Sequence, residues 1–529
     1  ASCPWESEGK TYFMDKKEDN RQGFVCFGAG KRGERTAEWG RSLGAAPVCF
    51  IDNSPQKAGT LCAGIPVEGP GALWDRPWDH ILITCDREAE IRSQLLAQGV
   101  PGYRIITGRH NTLNHLLFHA SPGFISDEQK RSDGASPLPG SSTYCVQQPV
   151  CIHPQDRKQK AGAAGKKRMA SVLFDLQNGL VLGGVETWTY SLARSLMEAG
   201  VSGLYLTTDT PGPSMPDQTC PASVLPYRSN PQDKDRIRLC MDEIEKHLPC
   251  TVLCNFPQYT FWSACLMKQK YPDKIKVLAV QHSDDPLYYE AYGLWREYVD
   301  CYVTLSARME ERLTAWGLRR EKTVRMDWKV PCPSCLTRSW SGDGEPLHIG
   351  YAGRVTVTSK RADLLTELSL LLRKQSIPFV LEIAGEGDYS KALRESIRRE
   401  KLEECVKPLG YIDREALSVF WRCQDIMISC SEREGHSLSQ REAMAQGAVP
   451  VVTDVSGAQD DIEDGENGFI VDVGALNAAA EKIAHLHVNR NALAQMGRAA
   501  HQSVLARQKD TDPKRFWLRM LKEVWEPCK

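Results

Sequence analysis

A recurring rhythm constrains this chain most: apolar runs of about four residues, bounded by glycine or polar turns, alternate with longer polar stretches. Such runs are short for helices and long enough for buried strands, and strands joined by helix-length connections pair in parallel. The first series is Phe24-Val25-Cys26-Phe27, Val48-Cys49-Phe50-Ile51, Ile81-Leu82-Ile83-Thr84 and Arg104-Ile105-Ile106. A second runs through Ser171 to Phe174, Gly203 to Leu206, Thr251 to Cys254, Lys276 to Val280 and Cys301 to Leu305. A third takes in Leu347 to Tyr351, Phe379 to Ile383, Asp425 to Ile428, Val449 to Val452 and Phe469 to Val471. The fold predicted is α/β in three parallel-sheet units, which 529 residues accommodate at roughly 150 residues per domain.

The stretches between the units read differently. Ser, Pro, Gly and Gln dominate residues 121–168, and six basic residues crowd into Arg157 to Arg168, as expected of a mobile, solvated linker. Residues 336–346 read as a second linker. The domain plan is therefore 20–110, linker 121–168, 169–335, 347–510, and a last helix in 511–529.

Global charge decides little: 66 Lys and Arg face 67 Asp and Glu, so nothing draws the chain to nucleic acid. The 19 cysteines scatter through apolar strands, as reduced buried thiols do, and the single Cys332 to Cys335 pair has no second pair to complete a zinc site. No apolar run reaches the roughly 18 residues of a membrane span, and Ala1 to Lys10 lacks a signal-peptide pattern. A cytoplasmic protein is expected, with contact at the inner face of a membrane as an addition. Oligomeric state leaves no mark.

Several loops at strand ends carry chemistry. In the first unit Gly28-Ala29-Gly30-Lys31-Arg32-Gly33 follows the first strand, and Asp52 ends the second, where a ribose-binding acid sits in dinucleotide folds. A nucleotide loop of Gly28, Gly30, Gly33 and Asp52 stands beside the plainer reading of a structural or partner-binding module. In the second unit Gly183-Gly184 opens a helix with apolar positions at Val185, Trp188, Leu192 and Leu196, and His282 ends a strand where open α/β sheets bind ligands. In the third, Gly353-Arg354 is followed by Lys360 and Arg361; a guanidinium and an ammonium there can neutralise a diphosphate without a metal. Gly385-Glu386-Gly387 lets backbone come near a ligand. Glu434 lies in a turn and Glu442, eight residues on, lies on a helix from Leu438 to Gln446 that Gly447 stops and Ser437 or Ser439 caps. Its free N–H groups offer an anion seat beside Glu434.

Taken together, Gly183-Gly184-Val185-Glu186, Tyr351-Ala352-Gly353-Arg354 with Lys360, Ile383-Ala384-Gly385-Glu386-Gly387, Leu409-Gly410-Tyr411, the Glu434 to Glu442 spacing and Glu466-Asn467-Gly468-Phe469 resemble the retaining glycosyltransferases of family 4 over residues 171 to about 505. The first unit resembles the small Rossmann-like modules attached to some bacterial sugar and methyl transferases. The resemblance implies a GT-B architecture, two facing Rossmann-like domains, here preceded by an additional small one. It implies a UDP- or GDP-type sugar donor on the C-terminal half and a glycan, lipid-linked or other acceptor on the N-terminal half, in surface glycan or glycoconjugate assembly, with no cofactor or metal required. Arg354 and Lys360 would hold the diphosphate, Glu442 the ribose, Glu434 the donor sugar, Gly184 the phosphates, and His282 the sugar and acceptor. The wider donor site would comprise Gly183, Arg361, Gly385, Gly387, Gly435, His436, Ser437 and Leu438. Two other readings share these motifs: a GT-B nucleotide-sugar epimerase and a non-catalytic scaffold. A glycoside hydrolase is disfavoured, having no diphosphate to neutralise.

The chain departs from the family pattern in the Thr356 to Ser359 stretch before Lys360, in His436-Ser437, and in Asp460. The segment Asp512-Pro513 to Trp525 has a cap, a first-turn Pro and interleaved apolar and basic residues. It is expected to cross back onto the N-terminal half; a membrane-surface helix is the competing reading.

Overall fold

The computed structural model describes residues 23–42, 45–75, 78–100, 105–107, 116–118, 170–177, 179, 183–208, 220–225 and 233–526. The linker expected at 121–168, with its basic cluster, lies outside them. Three sheets form, each with the short buried strands that the apolar runs predict.

The first comprises β1 (Phe24–Phe27), β2 (Phe50–Ile51), β3 (Leu61–Cys62), β4 (Ile65–Glu68), β5 (His80–Ile83) and β6 (Ile105–Ile106), in the order β3-β4-β2-β1-β5-β6. Helices α1 (Lys31–Ser42) and α2 (Glu88–Ala97) connect its strands. Four strands were expected; the antiparallel pair β3–β4 is the addition, and its two-residue arm is too short to leave a periodic signal.

The second sheet is wholly parallel: β7 (Ser171–Leu176), β8 (Gly203–Thr208), β9 (Ala222–Leu225), β10 (Cys250–Cys254), β11 (Ile275–Val280), β12 (Cys301–Thr304) and β13 (Thr323–Arg325), ordered β13-β12-β11-β10-β7-β8-β9. Its helices are α3 (Gly184–Glu198), α4 (Asp233–Lys246), α5 (Tyr259–Lys270), α6 (Pro286–Leu294) and α7 (Ala307–Ala315). The third is parallel too: β14 (Leu347–Ala352), β15 (Phe379–Ala384), β16 (Val406–Gly410), β17 (Ile426–Ser429), β18 (Val449–Thr453) and β19 (Phe469–Val471), ordered β16-β15-β14-β17-β18-β19. With it go α8 (Leu364–Lys374), α9 (Ser390–Arg399), α10 (Arg414–Cys423), α11 (Leu438–Ala445), α12 (Ala458–Asp461), α13 (Leu476–Val488), α14 (Arg490–Gln508) and α15 (Pro513–Glu523). In both larger sheets the chain reverses direction of travel, between β7 and β10 and between β14 and β17, and a crevice opens at the strand ends there.

The stretch 336–346 is not a free linker. The Arg338 side chain is buried, donates to Gln424 O at 2.6 Å and lies 3.4 Å from Asp425; Trp340 donates to Gly447 O at 2.9 Å, and the guanidiniums of Arg338 and Arg498 both lie over its ring. Its polar composition concealed this, because the cationic and indole groups that anchor it also suit a surface.

Helix α15 begins at the Asp512 cap and buries Trp517, Met520 and Leu521 in the same cluster as Trp188 on α3. Trp517 and Trp188 lie 5.8 Å apart, and Trp525 donates to Thr251 Oγ1 at 2.9 Å. The apolar face that a membrane surface would need is thus occupied by the second unit. Among the described residues no helix is long and apolar enough to cross a membrane. All the cysteines described are free, most of them buried.

The first unit does not hang loose. Its Phe24, Cys26, Leu82, Leu116 and Leu117 share one apolar cluster with Leu173, Cys250 and Trp295 of the second, and Phe118 meets Trp295 edge to face at 5.5 Å.

Candidate active site

The second and third sheets present their carboxyl ends to each other, and the loops touch. A Cβ on Gly435 would lie 2.2 Å from His282 O, so only glycine lets the turn after β17 reach the turn after β11. Around this point Asp284 N donates to Glu434 O (3.2 Å), Ser306 and Ser456 hydroxyls meet at 2.7 Å, Ala307 N donates to Asp460 Oδ2 (3.0 Å), and Arg308 grips Asp454 at 2.6 Å. The cleft is closed at this edge by polar contacts between the two halves.

On the third-sheet side, Lys360 donates to Glu434 Oε1 at 2.5 Å, and Ser431 Oγ to the same oxygen at 2.7 Å. The lysine side chain is 21% and the glutamate 11% exposed, so the pair is shielded yet open to a ligand. Arg354 is exposed at the end of β14 and has no carboxylate or hydrogen-bond partner for its guanidinium among the described residues. Tyr351 donates to Arg354 O at 2.7 Å; burial, with the charge of Glu434, pushes its phenol well above the usual range, against the pull of Arg354. Arg361 is different: it is held by Asp363 at 2.9 Å and Glu432 at 2.8 Å, so its charge is already matched. Its positive φ of 50°, with 67° at Ser359, makes the tight turn that carries Lys360 to Glu434.

The two glycines read as ligand-approach positions have a structural cause. At Gly385 (φ 135°) a Cβ would meet Gly353 O at 1.9 Å, and at Gly387 it would meet Val355 O at 2.3 Å. Both let the Arg354 loop lie directly on the loop after β15, where Gly353 N donates to Ala384 O and Val355 N to Glu386 O. Gly184 faces open space instead, with nothing within 4 Å of a Cβ; Gly183 is crowded only by Glu186 Oε2. Gly385→Ala is therefore expected to cost about 1–3 kcal/mol through backbone strain alone, and Gly184→Ala close to nothing, in urea unfolding of the free protein.

Helix α11 starts at Leu438 with Ser437 as its cap, accepting from Gln440 N at 3.3 Å. Glu442 sits on its partly buried side. His436 is not open to a ligand through its ring: Nδ1 donates to Leu305 O (2.8 Å) and Nε2 lies 2.7 Å from Asp461 Oδ2. Asp461 also receives Arg441 at 2.8 Å, and Arg441, fully buried, reaches Asp327 (2.6 Å) and Trp328 O (2.8 Å). Burial alone would raise the Asp461 carboxyl; His436 and Arg441 more than offset it and hold it well below the usual range. This network ties α11 to the second unit, and neither Arg441 nor Asp461 was singled out from sequence. Nothing marks Asp461 among its acidic neighbours Asp460, Glu463 and Asp464.

On the second-sheet side, His282 Nε2 lies 2.9 Å from Asn255 Oδ1, and its ring meets Trp188 edge to face at 4.9 Å. Burial lowers its pKa to about 3, so the imidazole is neutral. Asn255, just past β10, was also missed; only its place at a strand end could have drawn attention.

In the first unit, Asp52 is turned onto its own loop: it accepts from Ala29 N (2.9 Å), Ser54 N (2.9 Å) and Lys57 Nζ (2.9 Å). Its carboxylate thus occupies the glycine loop that it was expected to serve from across a ribose. Gly28 (φ 112°) and Gly33, whose Cβ would meet Gly28 O at 2.2 Å, are needed by the turn itself; Gly30 alone faces open space.

Two facing Rossmann-like domains with a cationic strand-end loop in the cleft define the GT-B fold, here with an extra α/β unit in front. Residues 338–503 match the family described as glycosyl transferases group 1. The poly(ribitol-phosphate) alpha-N-acetylglucosaminyltransferase of Staphylococcus aureus (strain COL) is 30% identical over 175 residues, 32% of this chain and 34% of that protein. The D-inositol 3-phosphate glycosyltransferase of Paenarthrobacter aurescens (strain TC1) is 25% identical over 358 residues, 60% of this chain and 88% of that protein. The chain thus spans about a third of the first relative's length. Anabaena Alr3699/HepE, solved in complex with UDP and glucose, superposes with a TM-score of 0.53 at 16% identity, over 67% of this chain and all of that one.

Proposed function

We propose that this chain is a retaining glycosyltransferase that moves a sugar from a nucleoside-diphosphate sugar to a glycan or glycolipid acceptor, in the manner of family 4. The observation that carries the proposal is the guanidinium of Arg354, unpaired among the described residues, on the same strand-end loop as the lysine of the Lys360–Glu434 pair, at the β14/β17 crevice where such a sheet binds ligands. The diphosphate would lie between Arg354, Lys360 and the free N–H groups of α11, with Glu442 toward the ribose and Glu434 toward the sugar. As the glycosidic bond breaks, charge grows on the leaving phosphate oxygen, and Arg354 and Lys360 neutralise it; that oxygen then accepts the acceptor's proton on the same face. Neutral His282, from the opposite domain, would orient a hydroxyl group there. UDP is the favoured nucleotide, by analogy with Alr3699/HepE, and the site of action is the cytoplasmic side, near the membrane where surface glycans are assembled.

A thermal-shift screen of UDP, GDP and ADP and their sugars tests the donor site. One diphosphate class is expected to raise Tm, by the equivalent of about 2.7 kcal/mol at a hundredfold excess over Kd, and Arg354→Ala to abolish the rise. No shift with any of them, or an equal shift in the variant, would refute the assignment. The anomeric configuration of the product, read by NMR, tests retention.

A further inference from the structure

Beneath His282 lies a buried polar chain that no step above employs. Asp175, at the end of β7 and fully buried, accepts from Asn255 N (3.0 Å), Phe256 N (3.1 Å) and Thr260 Oγ1 (2.8 Å). Asn255, also fully buried, gives both amide hydrogens away, to Asp175 O (2.6 Å) and Thr189 Oγ1 (2.9 Å). Its Oδ1 is therefore fixed as the atom facing His282, 2.9 Å from Nε2, and Tyr288 clamps its carbonyl at 3.1 Å. An amide oxygen can only accept, so Nε2 must carry the proton and Nδ1 keeps its lone pair.

We infer that Asn255 is a positioning residue that holds His282 as the Nε2–H tautomer, so that Nδ1 is a permanent hydrogen-bond acceptor for the acceptor substrate's hydroxyl group. This rests on the glycosyltransferase reading. An asparagine suits the role because a carboxylate there would favour the imidazolium, which has no lone pair to offer. Asp175 is one peptide removed: burial raises its pKa to about 6 despite the bonds it accepts, and it fixes the Asn255 backbone while leaving the imidazole uncharged. The other titratable groups around this corner are Glu186 on α3, Tyr288 on α6, Asp284 and Asp285 on the His282 loop, and Glu434 from the facing domain. Asp284 is matched by Arg312 at 2.5 Å, and Glu434 by Lys360.

The test has two parts. Nitrogen-15 NMR of the histidine side chains in the whole protein is expected to show His282 as a neutral Nε2–H ring throughout the range of stability, and in Asn255→Asp a ring that titrates ~1–3 pH units higher. A wild-type ring protonated at Nδ1 overturns the inference, whether or not the protein transfers sugar. The second part is a mutant cycle: Asn255→Ala is expected to lower kcat about a hundredfold with donor Kd within about twofold, and to cost nothing further in a His282→Ala background. An equal loss in both backgrounds would mean that Asn255 supports only the fold, and the inference fails. If wild type transfers no sugar from any donor, the enzyme reading falls while the NMR result still judges the tautomer.

Discussion

Lys360→Ala is expected to lower kcat/KM by about 10²–10³, the cost typical of removing one donor aimed at developing charge, and to do more harm than Arg354→Ala. The difference comes from Glu434. In the free site the ammonium lies 2.5 Å from Glu434 Oε1, and Ser431 Oγ also donates to that oxygen. Removing the lysine leaves a shielded carboxylate facing the place where a diphosphate would sit, so the variant loses an attraction and gains a repulsion. Arg354→Ala loses only an attraction. The same geometry makes Glu434→Gln informative: it frees the ammonium, so a bare nucleoside diphosphate should bind more tightly while sugar transfer falls. Calorimetric Kd values for the diphosphate, set beside steady-state kcat and KM, separate the two effects. Unchanged diphosphate affinity in Glu434→Gln would show that the ion pair has no part in donor entry.

Asp461→Ala is expected to be the most destabilising of the substitutions considered, by about 3–5 kcal/mol, the range for breaking a buried pair from one side. It leaves Arg441, with no exposed surface, short of its nearest buried carboxylate, and removes the carboxylate partner of His436 Nε2. Asp327 remains to Arg441 but is itself shared with Arg507 at 3.0 Å. Chemical denaturation should show the loss in the transition of the C-terminal half. The pH dependence follows from the depressed carboxyl: the stabilisation is complete above its unfolded pKa of about 4 and disappears as the pH falls toward the lower folded value. Asp461→Ala should therefore be less acid-sensitive than wild type below about pH 4, and lose stability in parallel with it above that. Acid-unfolding curves for the two that stay parallel throughout would count against the assigned role.

Much of the fold was legible because buried parallel strands leave an imprint local in sequence. The runs at Ile349, Leu381, Ile426, Val449 and Phe469 became one sheet. The order of strands left no such imprint, since it depends on which helix covers which face. The capping serine and the glycine stop of α11 were readable for the same local reason. What could not be read were the partners of particular residues. Gly385 and Gly387 announced a close approach, and the backbone that lies against them is that of the Arg354 loop. Asp52 stood at the right strand end, yet its oxygens went to Ala29 and Lys57. His436 followed a glycine in the key turn, and its ring went to Leu305, 131 positions away in sequence. Each of these turns on a partner distant in sequence, and so does the pairing of Asn255 with Asp175, 80 positions apart.

The shared core between the front unit and its neighbour has a mechanical corollary. Helix α6 spans about 15 Å at 1.5 Å per residue, from the Asp285 cap, three positions after His282, to Trp295. At its far end Trp295 bears on Phe118, and midway the charge of Glu290 acts on Arg92 of the front unit. The helix is a pushrod with its tip at the cleft between the second and third units and its seat in the extra module. A load applied to that module by anything that grips it is delivered along a stiff strut to the imidazole's turn.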